Sequence, residues 1–362
     1  MNRLTAARVV TPYGVLTPGA IEIEDGRIVL VERGPRHVPD VTLAPAFIDL
    51  QVNGIGPIDV AAAEGTDWDD LDRRLLEQGV AAWCPTLVTA PLDSYAAPLE
   101  RIAKAAERPG LRPAILGAHL EGPFLGGAPG AHRRHLLRPF DTAWLDALPA
   151  IVRLVTLAPE LEGATDVVQA LRTSGITVAL GHSTATYEQA EAAMAAGAEL
   201  VTHCFNGMGG LHHREPGLIG AALSDDRLAV SVIADLVHVH PAVLAMVFRA
   251  KGADRVAVVT DAVARDAADL RELGVRFEGP APMLPDGTIA GSAVTMDAAV
   301  ANLVRDAGVP LADAIRAAST TPADVLGETD RGRIAPACRA DIVALDDDFA
   351  VTGVWLGGEQ VS

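Results

Sequence analysis

His119-Leu120-Glu121-Gly122-Pro123, Gly181-His182-Ser183 and Thr202-His203-Cys204-Phe205-Asn206 each set a metal-type side chain at the end of an apolar run. A fourth segment, Val259-Thr260-Asp261-Ala262, ends such a run on a lone carboxylate. Two imidazole nitrogens and one carboxylate oxygen suit zinc, and also iron or another borderline divalent ion. Three protein ligands leave a position open for water, whose pKa the ion brings toward neutrality. Glu121, His182 and His203 are therefore candidate ligands for one divalent ion per subunit. Asp261 is the candidate to take the water's proton and return it to a leaving group. Taken singly, each residue also has an ordinary role open to it: a packed histidine, or a helix-capping or solvated aspartate. Together they predict a hydrolase built around a metal-activated water.

These residues need a scaffold that gathers distant strand ends, and the chain supplies one. Apolar, β-branched runs recur at 42–51, 79–88, 114–121, 151–157, 175–182, 199–204, 228–234 and 255–261. Between most of them lie stretches of helical period, at 68–78, 92–107, 164–174, 187–196 and 241–251, with two more at 296–307 and 311–318. Eight strands separated by helices predict an α/β fold, a parallel (β/α)8 TIM-like barrel whose active site lies at the C-terminal strand ends. Gln51, Glu121, His182, His203 and Asp261 close strands one, three, five, six and eight. The head reads as short strands at 8–11, 19–24 and 27–32, with Asp25-Gly26 as a hairpin turn. The tail from Gly332 is strand-like again. Residues 1–44 and 332–362 are thus expected to form one small β-sandwich domain, and 45–331 the catalytic barrel.

A formal charge of −18 argues against nucleic acid or an anionic membrane as a partner. The apolar runs fall short of the ~20 residues that a membrane span needs. The opening residues lack a secretion-signal pattern, and three scattered cysteines form no disulfide framework, so a cytoplasmic location is expected.

The chain resembles the amidohydrolase superfamily, and within it the N-acetylglucosamine-6-phosphate deacetylase family. The likeness runs nearly end to end, from Pro45-Ala46-Phe47-Ile48-Asp49 onward. It is most specific at His119 to Phe124, Leu157-Ala158-Pro159-Glu160, Gly181 to Thr186 and Arg214 to Gly220. The resemblance implies metal-dependent hydrolysis of an amino-sugar 6-phosphate to acetate and free amine, with Glu121, His182 and His203 as ligands and Asp261 as acid/base. It implies that His132 polarises the acetamide carbonyl and that Asn206, Gly207 and His238 meet the sugar phosphate. It also implies a homodimer, with Arg214 reaching the phosphate across the interface.

Departures from the wider superfamily refine this. Gln51-Val52-Asn53 stands where many members carry His-x-His, so Gln51 is expected to orient water or bind substrate, and a second, weaker cation near it is left open. The only lysines, Lys104 and Lys251, fall in predicted helices, which disfavours a lysine-bridged dinuclear centre. Leu236 replaces a usual glycine beside His238. The alternatives are N-acetylgalactosamine-6-phosphate or another N-acyl amino sugar as substrate. A non-catalytic sugar-phosphate-binding protein would be expected to have lost the ligand set or Asp261, and both are present.

Overall fold

The computed structural model describes residues 2–277 and 281–362. Eight parallel strands, Phe47–Val52, Val80–Val88, Ala118–Glu121, Val152–Leu157, Thr177–Leu180, Leu200–Val201, Ala229–Val232 and Val256–Val258, pair in sequence order around a barrel. The eighth meets the first through the Val52–Ala262 bridge and the Asp261 N–H, which donates to the Gln51 carbonyl at 3.0 Å.

Strand residues alternate between two environments, as a period of two requires. One set, including Val80, Leu120, Val155, Val178, Val201, Val230 and Val256, packs outward into the main core against the helices. The other set points inward. Ile48, Leu50, Ala82, Cys84, Leu154, Ala179, Leu200, Ala229 and Ala257 fill the lower interior with mostly small apolar groups. Two residues further along the same face of the second, fourth, fifth, sixth and seventh strands the chemistry changes to Thr86, Thr156, Gly181, Thr202 and Ser231, and the third strand adds His119. This upper layer is polar, buried and internally bonded. His119 Nε2 lies 2.8 Å from Thr156 Oγ1, which lies 2.7 Å from Thr202 Oγ1. Gly181 belongs to it for want of space: a Cβ there would stand 3.0 Å from Thr156 Cγ2 and 3.2 Å from Thr202 Cβ.

The helices at Asp67–Glu77, Ala96–Ala106, Ala164–Thr173, Tyr187–Ala196 and Pro241–Lys251 fall where the periodicity places them. Thr186 and Gln189 form a capping box on the fourth of these, and Gly197 ends it in the left-handed region. His240 caps the fifth, accepting from the Ala242 N–H. Lys104 and Lys251 do lie in helices. Several strands differ from expectation: the run at 42–51 divides into Thr42–Pro45 in a sheet of the termini and Phe47–Val52 in the barrel, and the eighth strand is only Val256–Val258. The third is split at Gly117, where a Cβ would collide with Arg153 Cγ at 2.2 Å. The sixth is only Leu200–Val201, because the chain turns at once into the His203 loop. A short helix, Gly217–Ser224, lies outside the helical stretches read from the sequence.

Both termini feed a six-stranded sheet: Arg8–Thr11, Gly14–Leu16 and Thr42–Pro45 join Ile342–Leu345, Val351–Leu356 and Glu359–Gln360. A three-stranded sheet, Asn2–Ala6, Gly19–Glu24 and Arg27–Arg33, packs on it through Ala6, Val9, Ile21, Ile28, Leu43 and Ile342. Val343 and Leu345, on the opposite face, belong to the barrel core. The Asp25-Gly26 turn takes φ +48° and +75°, the left-handed pair that a tight hairpin needs. No helix among the described residues is long and apolar enough to cross a membrane.

Asp49 ties the first strand to the eighth. Its Oδ2 accepts the Thr260 hydroxyl at 2.6 Å, and Oδ1 accepts the Gln51 and Thr260 N–H groups. Burial pushes its carboxyl up to about 7 in spite of these donors. Because this pKa is raised on folding, the stability Asp49 contributes is full below its ordinary 3.8 and is lost as pH rises through about 7. Thr260→Val deletes a donor that favours the ionised form. It is expected to destabilise the fold by about 1–3 kcal/mol, and by more at pH 8 than at pH 5. Urea denaturation at the two pH values checks this, and an equal loss at both would contradict it.

Candidate metal centre and cavity

Glu121 is the last residue of the third strand, and His182, His203 and Asp261 follow the fifth, sixth and eighth within a few residues. The last three turn sharply out of their strands, at φ +49°, +29° and +49°. Side-chain-bearing residues adopt this conformation at a cost of about 1–3 kcal/mol each, so the packed barrel must impose it. The turns aim the side chains at one point. Glu121 Oε1 lies 2.9 Å from His182 Nε2 and 2.8 Å from His203 Nε2, and the two nitrogens are 3.1 Å apart.

His132, from the loop after the third strand, joins this group with Nε2 3.2 Å from His182 Nε2. His182 Nε2 therefore has three partners within 3.2 Å, whereas a ring nitrogen offers one proton or one lone pair. These contacts cannot all be hydrogen bonds. A cation at their centre would accept a lone pair from each. The Nδ1 atoms of His182 and His203 are buried without a protein partner, so the protein does not dictate either tautomer by itself. One oxygen of Glu121 and ring nitrogens of His132 and His182 lie within 4.8 Å of one another, a spacing able to hold a metal ion. His203 contacts the carboxylate at 2.8 Å, whereas His132 Nε2 reaches no closer than 3.9 Å to Glu121 Oε2. That difference favours Glu121, His182 and His203 as the inner set, with His132 beside it.

Electrostatics follow the geometry. Burial alone would raise the Glu121 carboxyl, but the two imidazoles hold it well below the usual carboxylate range. Burial opposes a proton on His203, yet contact with Glu121 keeps its pKa raised. Burial pushes His132 down to about 3, with His182 adding to the effect, so its imidazole is neutral. Burial, then the charge of Glu121, brings Asp261 up to about 6. Its Oδ1 accepts from Gln51 Nε2 at 3.0 Å and Asn53 Nδ2 at 2.7 Å, which orients the carboxylate.

The centre opens into a cavity of about 690 Å³. Asn206, Gly207 and His238 line it, as does His132. Gly207 packs so close to His182 that a Cβ would stand 2.6 Å from Nδ1. His238 Nδ1 is held 2.7 Å from Asp235 Oδ2. Between them Leu236 takes φ +65°, the conformation that glycine adopts freely and leucine does not. Gln51 sits beneath the cavity against Asp261. Arg214 is the expected residue that the chain does not bring here: it is exposed and directed at His213 Nε2 at 2.8 Å.

Three residues had no role read from the sequence. Thr89 Oγ1 lies 2.8 Å from His132 Nδ1. Asn53 shares Asp261 with Gln51. Glu160 accepts from the Ser183 hydroxyl at 2.6 Å and the Thr184 and Gly127 N–H groups at 2.8 and 3.0 Å, tying the His182 loop to the segment before His132. Glu160 stands in a segment that carries the resemblance and Asn53 in the Gln51-Val52-Asn53 departure, whereas Thr89 has no such signal.

The "Amidohydrolase family" model matches residues 42–361. The chain is 40% identical over 373 residues to an N-acetylgalactosamine-6-phosphate deacetylase of Escherichia coli O157:H7, covering 99% of each. It is 38% identical to an N-acetylglucosamine-6-phosphate deacetylase of Vibrio furnissii, over 93% of this chain and 89% of that one. Among solved structures it resembles a mutant N-acetyl-D-glucosamine-6-phosphate deacetylase of Mycobacterium smegmatis in complex with N-acetyl-D-glucosamine-6-phosphate. There the TM-score is 0.90 and the identity 34%, over 99% of this chain and 98% of that chain.

The convergent donor set predicts tight binding of one divalent ion per chain. Glu121→Gln keeps the shape and removes the charge, so affinity is expected to fall about 100-fold or more. Equilibrium dialysis with elemental analysis measures this; unchanged stoichiometry and affinity in the variant would count against the site.

Proposed function

The chain belongs to the amidohydrolase family, and we propose that it hydrolyses the N-acetyl group of N-acetylglucosamine-6-phosphate, giving glucosamine-6-phosphate and acetate. The observation that carries the proposal is the meeting of Glu121, His182 and His203 at one point with a carboxyl of raised pKa, Asp261, beside them. A divalent ion held by those three residues, with zinc best suited to the donors, would supply Lewis-acid polarisation of the amide carbonyl and acidify water.

The remaining work falls to the protein's own groups. Asp261, ionised and aimed by Gln51 and Asn53, accepts a proton from the attacking water as its oxygen bonds to the carbonyl carbon. It then delivers that proton to the nitrogen as the C–N bond breaks. Neutral His132, whose Nδ1 lies 2.8 Å from Thr89 Oγ1, would present Nε2 as a hydrogen-bond donor to the carbonyl oxygen as charge develops there. Asn206, the Gly207 backbone and His238 line the cavity and would hold the sugar phosphate. We assign the active unit as a cytoplasmic homodimer, in which the partner's copy of Arg214 would complete the phosphate site. That assignment is in keeping with the exposure of Arg214 on its own chain. The galactosamine epimer is the second reading, supported by the full-length likeness to a deacetylase named for it.

Asp261→Asn is expected to keep its metal while kcat falls about 100- to 10,000-fold. Acetate release and metal content measured on the same sample test this, and near-normal turnover would remove the mechanism. Side-by-side kcat/KM values on the two epimeric 6-phosphates and their free sugars are expected to favour N-acetylglucosamine-6-phosphate. Preference for the galacto epimer would establish the second reading.

A further inference from the structure

The cavity extends well past the groups that the proposed reaction uses. Its volume of about 690 Å³ falls in the range that encloses a whole drug-sized ligand, roughly 300–1,000 Å³. The wall changes character around the barrel. Asn206, Gly207 and His238, on the loops after the sixth and seventh strands, give it a polar side. Eight strands paired in sequence order set the loops after the second and third strands opposite these. On that far side Leu87, Val88, Ala90, Pro91, Tyr95 and Pro98 line the cavity, and among the described lining residues from Thr86 to Pro98 none is charged.

This apolar wall is held in place. Tyr95 Oη donates to the Val88 carbonyl at 2.9 Å and accepts from the Ala90 N–H at 3.1 Å, which satisfies its one polar group. Trp144 packs edge-on against the Tyr95 ring at 5.3 Å, and its Nε1 donates to the Leu92 carbonyl at 3.3 Å. The wall begins at the reacting centre, because Thr89 Oγ1 lies 2.8 Å from Nδ1 of His132, the residue assigned to the carbonyl oxygen. The substrate's own shape points the same way. In an amino-sugar 6-phosphate the nitrogen and the phosphorylated arm are carried on carbons across the ring from each other. The amide is planar and trans, so its acyl chain runs on away from the ring. A phosphate held on the loops after the sixth and seventh strands therefore directs the acyl chain toward the loops after the second and third.

We propose that this wall is an acyl-chain subsite, and that the enzyme removes straight-chain N-acyl groups longer than acetyl, such as propionyl, butyryl and hexanoyl, from amino-sugar 6-phosphates. Water adds to the carbonyl carbon and the carbon–nitrogen bond breaks, so each substrate yields its own carboxylate and the same protonated amine. The proposal rests on the sugar-phosphate reading and widens its substrate class.

The test follows release of the amino-sugar 6-phosphate, the product common to the series, from N-acetyl, N-propionyl, N-butyryl and N-hexanoyl substrates. Burial of each added methylene is expected to lower KM about two- to fourfold from acetyl to butyryl, with kcat held within about threefold. Ala90→Phe and Ser94→Leu narrow the wall at two lining positions. Each is expected to lower the hexanoyl-to-acetyl ratio of kcat/KM about tenfold or more. A butyryl kcat/KM below the acetyl value overturns the proposal, as does a hexanoyl-to-acetyl ratio that neither variant moves. Thermal melting of both variants identifies a fold defect, which would lower turnover of every chain length together. A wild type inactive on all four substrates removes the underlying reading as well, whereas one that cleaves the N-acetyl compound alone removes only this inference.

Discussion

One ring nitrogen with three polar neighbours is the constraint on which the structure turns. His182 Nε2 cannot satisfy Glu121, His132 and His203 together by hydrogen bonding, and all four side chains are withdrawn from water. Such crowding is stable when a positive charge sits among the lone pairs. The alternative is a protonated imidazole, which leaves other contacts unmade at the cost of buried, unpaired polar atoms. The barrel's task is to hold these groups at that separation.

It does so in layers. Small apolar side chains fill the lower interior. Above them the His119–Thr156–Thr202 chain of hydrogen bonds forms a polar floor, and burial keeps His119 neutral by pushing its pKa down to about 4. His182, His203 and Asp261 stand on that floor at positions of positive φ. Glu160 and Thr89 bind the loops from the side, while Asp49 and Thr260 join the first strand to the last. Strain at His182, His203 and Asp261 is tolerable because each lies between a fully buried strand and a loop tied by hydrogen bonds. Local backbone preference is traded for converging chemistry, as functional sites commonly do.

Much of this was legible in the sequence, for physical reasons. Alternation of buried strands with amphipathic helices is a strong periodic signal, and the metal-type residues could be placed at strand ends because the strands could be counted. Residues that act through a neighbour left no such trace. Thr89 is one threonine among many until folding brings it to His132, and Asn53 becomes significant only once Asp261 arrives from more than 200 positions away. His119 lies two residues before Glu121, and that spacing does not distinguish a residue of the buried floor from a ligand. The shortness of the sixth strand was equally hidden, because its turn follows from where His203 must point rather than from residue propensity. Arg214 marks a different limit: a residue expected to act across an interface finds no partner in its own chain's cavity.

X-ray absorption spectroscopy at the zinc edge of the metal-loaded protein is the most direct measurement of the central claim. A first shell of nitrogen and oxygen only, at about 2.0–2.2 Å, with multiple scattering from two imidazoles, is the predicted result. A sulfur shell from a cysteine, or a shell lacking imidazole altogether, would contradict it.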